Sequence, residues 1–375
     1  MATRPTRQGD RVTIVDVAAA AGVSRQTVSN ALNKPHLLAA ETLEKVHAAI
    51  NDLGFAPNVA AQQLRRRRAS AYGFEVNPSG AGRMGHILDG FLVEMTAAAP
   101  DHAAHLVTFA PELDSLIEGY DRLLGTGLVD GFVLGDTRHG DPRPDWLLEQ
   151  GVPFVTFGRI WDRPELDGWV DVDGRAGVRL GVEHLLAQGY ERVAWLGWPD
   201  GSPVGDDRRA GWLDGLTASG HDADASMAVE SVQDLSEATA AAERLLRALK
   251  GRGAIVCASD LLALGAIRAI RNHDLRLGTD IGVVGFDDTD VAEALSLTSL
   301  RQPLRPAAEA AWRILASGHQ SRPHGIPGSA ATDDEGAGQV ERTALLPPTL
   351  TIRASSTPEP SGTPTGRTTR RSSRS

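Results

Sequence analysis

The sequence predicts a small all-α head, built as a helix-turn-helix, followed by a large α/β body with parallel sheets. Three short helical patterns occupy the first 57 residues and are separated by turn-sized gaps. From Tyr72 to about Leu300, apolar runs rich in β-branched residues alternate with amphipathic helical stretches, which is the pattern of parallel strands covered by helices. Charge divides the chain in the same way, because the head is basic and the body is acidic.

The formal net charge of −10 over 375 residues is unevenly distributed. Residues 1–68 contain ten Lys and Arg against five Asp and Glu, and residues 357–375 contain four Arg against one Glu. The residues between them therefore carry a net charge of −18. A basic end on an acidic body is typical of a protein that holds nucleic acid with that end and keeps the rest away from it.

Composition also argues against several classes of protein and site. The single cysteine, Cys257, excludes an intramolecular disulfide and a zinc site built from several cysteines, and we expect it to be a buried apolar residue. No apolar run approaches the roughly 18 residues of a membrane span, and the first residues, MATRPTRQGDR, lack the apolar segment of a signal peptide. We therefore expect a cytoplasmic protein with no membrane partner, no metal and no cofactor.

Each helical pattern in the head is bounded by residues that start or end helices. The patterns run over residues 14–21, 24–32 and 41–53. Thr13 and Ser24 are expected to cap the first two helices, because their hydroxyls can accept hydrogen bonds from free backbone N–H groups. The third pattern stops at Gly54, a residue type that readily takes the left-handed conformation found at helix ends.

The first two helices carry the residue spacing of a helix-turn-helix. Ala18 leaves room for the second helix to cross closely, Gly22 supplies the turn, and Val28 closes the core. In this motif the second helix lies in the major groove of DNA. A helical hairpin with a polar surface is the alternative that the spacing alone leaves open.

The second helix is predicted to read bases. Its exposed positions would be Arg25, Gln26 and Asn30. Arg can pair with guanine, and Gln or Asn with adenine, through two hydrogen bonds each. Thr27 and Ser29 would be available for phosphates.

The body contains six candidate strands and two well-patterned helices between them. Because the strand runs are continuously apolar rather than alternating, we expect them to be buried on both faces. Two successive α/β units of similar size would give this pattern. The strands are predicted at 105–109, 131–135, 153–157, 192–197, 253–259 and 281–286, and the helices at 178–188 and 261–273.

The end of the chain departs from this alternation. Residues 320–341 are rich in Gly, Ser, Ala and charge and are predicted to form an exposed loop. Residues 343–355 are predicted to form one last strand. Residues 357–375 have almost no apolar content, so we expect them to be disordered.

The chain resembles the lactose/galactose repressor (LacI-type) family. In the head the resemblance rests on TIVDVAAAAGVSRQTVSNALN followed by ETLEKVHAAINDLGFAPNVAAQQL. It continues in order and spacing through VRLGVEHLLAQGYERVAWLG, DRRAGWLDGL, CASDLLALGAIRAI and DIGVVGFDDTDVA, and so covers about residues 12–356. The resemblance implies a helix-turn-helix head at 1–57, a hinge helix and linker at 58–71, a two-lobed effector-binding and dimerisation domain at 72–356 that is similar to periplasmic binding proteins, and a disordered tail at 357–375.

The resemblance places base contacts at Arg25, Gln26 and Asn30, although family members commonly have Arg where Asn30 stands. It also implies that residues 59–64 form a hinge helix that folds on the operator and inserts Leu64 into the minor groove. A buried Leu64 without insertion is the alternative. The positions expected to contact DNA are Thr13, Ser24, Arg25, Gln26, Thr27, Ser29, Asn30, Asn58, Ala61, Leu64 and Arg65.

Two features of the hinge concern how strongly it would hold DNA. Gln62 replaces an arginine that is usual in the family, which would weaken the grip. The four arginines at 65–68 could compensate through phosphates, in which case binding would depend steeply on salt. A solvated linker is the alternative reading of the arginine run.

For the body, the resemblance implies a small ligand clasped between two lobes that the chain crosses three times, near 168–171, 297–300 and 322–325. The ligand residues carried over are Arg208 and Asp260, with Asp173 and Arg159 as further candidates. They would lie at the carboxyl ends of strands, where open α/β sheets bind ligands. A guanidinium that donates to hydroxyls and a carboxylate that accepts from them suit a sugar, and a nucleoside or nucleobase is the alternative.

Three tryptophans lie near the predicted pocket loops: Trp161, Trp198 and Trp212. An indole face can stack on a sugar ring, but each of the three could equally belong to the core.

The function implied by the resemblance is a transcription regulator that binds double-stranded DNA. It would be a repressor of carbohydrate-utilisation genes, a homodimer on a near-palindromic operator, with a small-molecule effector, a sugar. An enzyme is disfavoured because no HExxH, GxSxG or P-loop sequence occurs. A sugar-binding transport protein would share the fold of the body, but the head and the missing signal peptide argue against it.

Overall fold

The chain divides into two compact units, Met1–Ala69 and Ser70–Ser375. No helix in the described part of the chain is long and apolar enough to cross a membrane. A computed structural model of the protein describes residues 12–33, 35–55, 70–76, 86–112, 115–222, 224–317 and 341–358.

The head is a three-helix unit, as predicted, and the predicted helix bounds are correct to within one residue. Its helices are α1 (Ile14–Ala21), α2 (Arg25–Asn33) and α3 (Ala40–Leu53), with a short 3-10 turn at Pro35–Leu37. They close on a small core of aliphatic side chains, and the buried members are Val17, Ala18, Val28, Ala31, Val46 and Ala49.

The turns of the head depend on two glycines. Gly22 lies between α1 and α2 with φ of 67°, and Gly54 ends α3 with φ of 59°. Both values lie in the left-handed region, which glycine enters without the steric cost that a side chain brings. Gly22 therefore permits the abrupt change of direction that sets α2 across α1.

The body consists of two lobes, each built on a six-stranded sheet. Lobe 1 has the strand order β11-β5-β4-β3-β1-β2, and every neighbouring pair is parallel. Its strands are β1 (Ala71–Glu75), β2 (His105–Phe109), β3 (Gly131–Leu134), β4 (Phe154–Phe157), β5 (Trp169–Val172) and β11 (Thr343–Leu346). Its helices are α4 (His86–Ala98), α5 (Leu116–Gly125), α6 (Pro142–Glu149) and α12 (Leu304–Ala316).

Lobe 2 has the strand order β12-β10-β9-β8-β6-β7. Its neighbours are parallel except for β10 and β12, which are antiparallel. Its strands are β6 (Val193–Gly197), β7 (Ala228–Glu230), β8 (Gly253–Cys257), β9 (Ile281–Asp287), β10 (Thr298–Arg301) and β12 (Thr349–Thr351). Its helices are α7 (Gly174–Ala187), α8 (Pro203–Ala218), α9 (Leu235–Leu249), α10 (Asp260–Asn272) and α11 (Asp290–Ala294).

The six predicted strands are all present, and Cys257 is fully buried in β8 as expected. The predicted single last strand is wrong, because residues 343–355 form two strands in different sheets. β11 extends the sheet of lobe 1 beside β5, and β12 pairs with β10 in lobe 2. Pro347 and Pro348 separate them, and proline cannot continue a strand ladder because it has no N–H to donate.

The sheet assignments also locate the three crossings between the lobes. The first lies at residue 173, between β5 and α7, and the second at residues 302–303, between β10 and α12. Both fall a few residues after the predicted positions. The third crossing lies at 347–348, so the predicted position near 322–325 is wrong. Residues 318–340 and 359–375, for which a loop and a disordered tail were predicted, lie outside the described residues.

Four helices of lobe 2 begin near the cleft, one of them after strand β5 of lobe 1 and three after strands of lobe 2, and each is capped by a side chain. Asp173 accepts from the N–H of Ala176 at 2.8 Å at the start of α7. Hydroxyl caps start the other three helices: Ser202 for α8, Ser259 for α10 and Thr289 for α11. The caps satisfy N–H groups that have no partner within the helix. They hold three helix starts after lobe 2 strands and the start of α7 at the first crossing between the lobes.

Candidate functional site

The start of α2 is held by hydroxyl hydrogen bonds. The N–H of Thr27 donates to Ser24 Oγ at 3.0 Å, and the Ser24 and Thr27 hydroxyls are 2.9 Å apart. At α1, both the N–H and the hydroxyl of Thr13 donate to the Asp16 carboxylate, at 2.8 and 2.7 Å. The Thr13 hydroxyl lowers the pKa of Asp16. These contacts position the helix ends, so any role in DNA binding for Thr13, Ser24 or Thr27 would come in addition to capping.

Gln26 and Asn30, two of the three predicted base-reading residues, contact each other. Gln26 Nε2 donates to Asn30 Oδ1 at 3.1 Å across one turn of α2. Arg25 and Gln26 are exposed, while Ser29 and Asn30 are half-buried. The two linked side chains therefore present amide donors and acceptors on one face of α2. Amide groups of this kind recognise adenine in the major groove. Contacts were also predicted in the hinge, but Asn58, Ala61, Leu64 and Arg65 lie outside the described residues.

A cavity of about 570 Å³ lies between the two lobes. Its lining comes from the carboxyl ends of parallel strands and from the helix starts that follow them, which is where open α/β sheets bind ligands. Lobe 1 contributes Asp136 and Thr137 after β3, Phe157 and Gly158 at the end of β4, and Asp171 and Val172 at the end of β5. Lobe 2 contributes Trp198, Arg208, Gln233, Asp260, Asp287 and Gln302, among others.

Arg208, a predicted effector residue, lies in this cavity and is only 5% exposed. Its guanidinium carbon is 3.6 Å from the centre of the Phe286 ring and 5.2 Å from that of Trp198. Nη1 donates to the carbonyl of Ala258 at 2.5 Å, and neither Nε nor Nη2 has a hydrogen bond to another described residue. Burial lowers the pKa of Arg208, and nearby carboxylates, Asp287 foremost, oppose that shift.

The position of Arg208 is determined by close helix packing. Gly211, one turn later on α8, lies against the backbone of α7, where a Cβ would come within 2.2 Å of the carbonyl oxygen of Arg175. Because any side chain at this position would push the two helices apart, glycine allows α8 to approach α7 closely. The approach places the Arg208 side chain at the carboxyl edge of the sheet.

Asp287, at the end of β9, is a cavity residue that the sequence reasoning missed. Its Oδ1 accepts from Gln302 Nε2 at 2.8 Å. Burial raises the pKa of the Asp287 carboxyl to about 7, although the positive charge of Arg208 acts in the opposite direction. The backbone has φ of 112°, a strained value that is common only for glycine and is tolerated best by Asp and Asn among other residues. Its position inside the motif GFDD, at the end of an apolar run, is the signal that could have identified it.

Asp260, the second predicted effector residue, lines the cavity but is already bonded within lobe 2. Oδ1 accepts from Ser299 Oγ at 2.6 Å, and Oδ2 accepts from the N–H of Thr289 at 2.7 Å. Burial raises the pKa of Asp260. The carboxyl group therefore links the ends of β8, β9 and β10 on the lobe 2 side of the cavity.

The other two predicted effector residues, Arg159 and Asp173, are not among the residues that line the cavity. Asp173 caps α7, as described above. Arg159 follows β4 in lobe 1, where Nε donates to Asp171 Oδ2 at 2.7 Å, and Nη2 is 2.9 Å from Asp207 Oδ2 of lobe 2. Burial acts to lower the pKa of Arg159, but the charges of Asp171 and Asp207 outweigh it and raise the pKa. Arg159 thus forms an ion pair between the lobes at the edge of the cleft.

Only Trp198 of the three tryptophans near the predicted pocket lines the main cavity. Its Nε1 donates to Gln233 Oε1 at 2.7 Å, and the Ser259 hydroxyl donates to the same oxygen at 3.0 Å. Trp212 belongs to the core of lobe 2, where Nε1 donates to the carbonyl of Val193 at 3.0 Å. Trp161 lines a smaller, separate cavity.

Acidic side chains outnumber basic ones in the lining of the main cavity. Four carboxylates line it, those of Asp136, Asp171, Asp260 and Asp287, and Arg208 is the only Lys or Arg among the described lining residues. The described residues contain no cluster of three or more His, Cys, Asp or Glu placed to hold a metal ion. The arrangement can donate to and accept from hydroxyl groups and can place an aromatic face beside a ring.

Comparison with known families assigns both parts of the chain. A family model described as bacterial regulatory proteins of the lacI family matches residues 13–58, and a periplasmic binding protein-like domain matches residues 182–356. The HTH-type transcriptional regulator CelR of Thermobifida fusca is 31% identical over 309 residues, which cover 81% of this chain and 91% of CelR. The lactose operon repressor of Escherichia coli (strain K12) is 31% identical over 304 residues, which cover 78% of this chain and 81% of the repressor.

Solved structures give the same result. A complex of the transcriptional regulator CelR with cellobiose aligns with a TM-score of 0.66 at 28% identity and covers 92% of this chain and 100% of that chain. The lac repressor dimer bound to operator and the anti-inducer ONPF aligns with a TM-score of 0.69 at 27% identity and covers 93% of this chain and 100% of that chain.

Proposed function

The chain belongs to the LacI family of bacterial transcription regulators, and we propose that it represses carbohydrate-utilisation genes in response to a neutral sugar bound between its lobes. Its relatives are transcription regulators rather than enzymes. The observation that carries the proposal is the composition of the main cavity, whose lining includes four aspartates and one buried arginine.

The charge of this cavity distinguishes between classes of ligand. Hydroxyl groups can donate to carboxyl oxygens such as those of Asp287 and accept from Arg208, so a neutral polyol suits both. A sugar phosphate or sugar acid would bring further negative charge beside carboxylates in a partly desolvated site, which is unfavourable. The volume of about 570 Å³ lies within the roughly 300–1,000 Å³ of small-molecule sites. A sugar effector is also supported by the relative CelR, whose solved complex contains cellobiose.

The coupling to DNA would work through the two lobes. A ligand that contacts both lobes stabilises one of their relative positions, and it can shift operator affinity only as far as its affinity for the two positions differs. We infer a homodimer on a near-palindromic operator, because a two-fold protein matches a two-fold site. The lac repressor dimer bound to operator supports this arrangement.

A ligand panel measured by isothermal titration tests the effector class. It would contain glucose, galactose, maltose, cellobiose and lactose as neutral sugars, glucose 6-phosphate and gluconate as anionic ones, and adenosine and guanosine as the nucleoside alternative. We expect a neutral sugar to bind tightest. Tightest binding by an anionic sugar or by a nucleoside would contradict the assignment.

Arg208 and its neighbour Arg209 provide a matched pair of variants for the same titration. Arg208→Ala removes a charged donor in the cavity and is expected to weaken sugar binding by roughly 10- to 150-fold, the equivalent of 1.5–3 kcal/mol for a hydrogen bond to a charged group. Arg209 is 3.0 Å from Asp200 on the surface, so Arg209→Ala should bind the sugar as the wild type does. Equal affinities of the two variants would remove Arg208 from the site.

The proposed binding of a homodimer to an operator is tested by selecting fragments of genomic DNA with the purified chain and sequencing them. The expected product is an inverted repeat near carbohydrate-utilisation genes, bound with two chains per site and with an affinity that the sugar changes. One chain per site, measured by sedimentation of the complex, would contradict the dimer.

A further inference from the structure

Two loops of lobe 1 line both the main cavity and a second, smaller one. The loops follow β3 and β4. Asp136 and Thr137 of the first loop line the main cavity, as do Phe157 and Gly158 at the end of β4. Later residues of both loops line the second cavity, hereafter the side cavity, of about 270 Å³. Thr137 lines both. The side cavity therefore lies farther out along the loops that form the lobe 1 wall of the cleft.

The walls of the side cavity are tied together across the two loops. Asp162, from the loop after β4, accepts from the N–H of Gly140 at 2.5 Å and lies 2.5 Å from His139 Nδ1, both in the loop after β3. Arg163 forms an ion pair with Asp145 at the start of α6. Both pairs link the segment after β4 to the segment that runs from β3 into α6, so they connect the two sides of the cavity.

Trp161 supplies an aromatic surface in the side cavity and is linked to the main one. The Arg159 guanidinium carbon lies 4.4 Å from the centre of the Trp161 ring, and Arg159 also bonds Asp171, which lines the main cavity. The indole Nε1–H is buried and has no acceptor among the described residues. A buried donor without an acceptor is uncommon, and a ligand oxygen is one group that could satisfy it.

The geometry points to an extended ligand: we propose that the side cavity holds the second ring of a saccharide effector whose first ring lies in the main cavity. This inference rests on the proposed function. A volume of about 270 Å³ is below the roughly 300 Å³ at which independent small-molecule sites begin, which favours an extension over a separate site. Trp161 is half-buried and offers apolar surface to the C–H face of a sugar ring, and the buried Ile160 and Pro144 complete the apolar part of the lining.

Arg138 supplies the polar side of the same cavity. It is exposed and has no ion pair or hydrogen bond with another described residue. Its N–H donors face solvent, so they can bond ring hydroxyls in exchange for water rather than by breaking an ion pair. The protein is accordingly a sensor of disaccharides or longer saccharides, with Trp161 and Arg138 selecting for length.

The test compares ring number in isothermal titrations of the full chain. Glucose and galactose are the one-ring probes, and maltose, cellobiose, lactose and melibiose are the two-ring probes. We expect at least one disaccharide to bind about tenfold or more tighter than either monosaccharide, because aromatic contact with the second ring contributes on the order of 1 kcal/mol and hydroxyl bonds add to it.

Variants then test which residues cause the tighter binding of disaccharides. Trp161→Ala should remove most of the difference between disaccharide and monosaccharide affinity, while changing monosaccharide affinity by less than about twofold. Arg138→Ala, at an exposed position where folding is not at risk, should also reduce this difference in affinity. Trp146→Phe is the matched control, because Trp146 packs beside the lobe 1 core and does not line the side cavity. Retained monosaccharide binding shows that each variant is folded.

Two outcomes overturn the inference alone: a monosaccharide that binds as tightly as every disaccharide, or variants at Trp161 and Arg138 that weaken one-ring and two-ring probes equally. A panel in which a nucleoside binds and no saccharide does would overturn the proposed function first, and this inference with it.

Discussion

Replacing Asp287 by Asn is expected to stabilise the protein increasingly as the pH rises from 5 to 8. Burial raises the pKa of this carboxyl from 3.8 to about 7. Between these values the folded protein keeps a proton that the unfolded chain has lost. The stability contributed by the protonated group is therefore complete below pH 3.8 and is lost as the pH rises through 7.

The size of the effect follows from the two pKa values. Linkage gives a loss of about 2–3 kcal/mol in the free energy of unfolding of the wild type between pH 5 and pH 8, relative to a variant without the titrating group. Asn keeps the oxygen that accepts from Gln302 Nε2, and it tolerates the positive φ of this position. The substitution therefore removes the charge with little change in shape.

The assay is urea unfolding followed by tryptophan fluorescence at pH 5, 6, 7 and 8. Asp280→Asn is the control, because hydrogen bonds from Arg276 lower the pKa of Asp280 to about 2. The contribution of Asp280 is present above pH 3.8 and is lost only as the pH falls through 2, so its difference from wild type should stay constant from pH 5 to 8. If the difference between Asp287→Asn and wild type is equally constant, the carboxyl does not titrate near 7 and our account of its burial is wrong.

Three further predictions concern contacts seen in the structure. Gln26→Ala and Asn30→Ala are expected to be non-additive in operator affinity, by about 0.5 kcal/mol or more, because the two amides bond each other; additivity in a double-mutant cycle would show that they read DNA independently. Asp173→Ala should lower the free energy of unfolding by about 1 kcal/mol through loss of the α7 cap and leave sugar affinity unchanged, whereas lost affinity would favour the sequence-based assignment to the effector site. Asp207→Asn removes the lobe 2 partner of Arg159 and is expected to change the ratio of operator affinities with and without sugar by about fivefold or more; an unchanged ratio would make the ion pair irrelevant to switching.

The head could be predicted almost completely, because its signals are local. Thr13, Ser24 and Gly54 mark helix ends by chemistry that acts within one turn, and the spacing of Ala18, Gly22 and Val28 is set by one helix crossing the next. The contact between Gln26 and Asn30 is also local, since residues four apart share a helix face. The spacing of Gln26 and Asn30 permits this contact, but a prediction that pairs each side chain with a base does not include it.

The body was predictable where its strands are long and apolar. Four strands were missed: β1 with AYGFE, β5 with WVDV, β7 with AVE and β10 with TSLR. Each is short or interrupted by polar residues, so its local pattern does not distinguish it from a loop. These segments are strands because neighbouring strands supply their hydrogen bonds, for example β3 and β2 on either side of β1.

The sequence by itself determined the helix-turn-helix, the parallel α/β class of the body and a cation at Arg208, because these depend on periodicity, caps and motif order. Only the tertiary structure decided that Pro347 and Pro348 carry the chain from one sheet to the other, that Asp173 caps a helix while Asp287 lines the cavity, and that Arg159 joins the lobes. Caps and turns act over a few residues, whereas a cavity is lined by strand ends that lie far apart in the chain. Their meeting is a property of sheet order, which no local pattern contains.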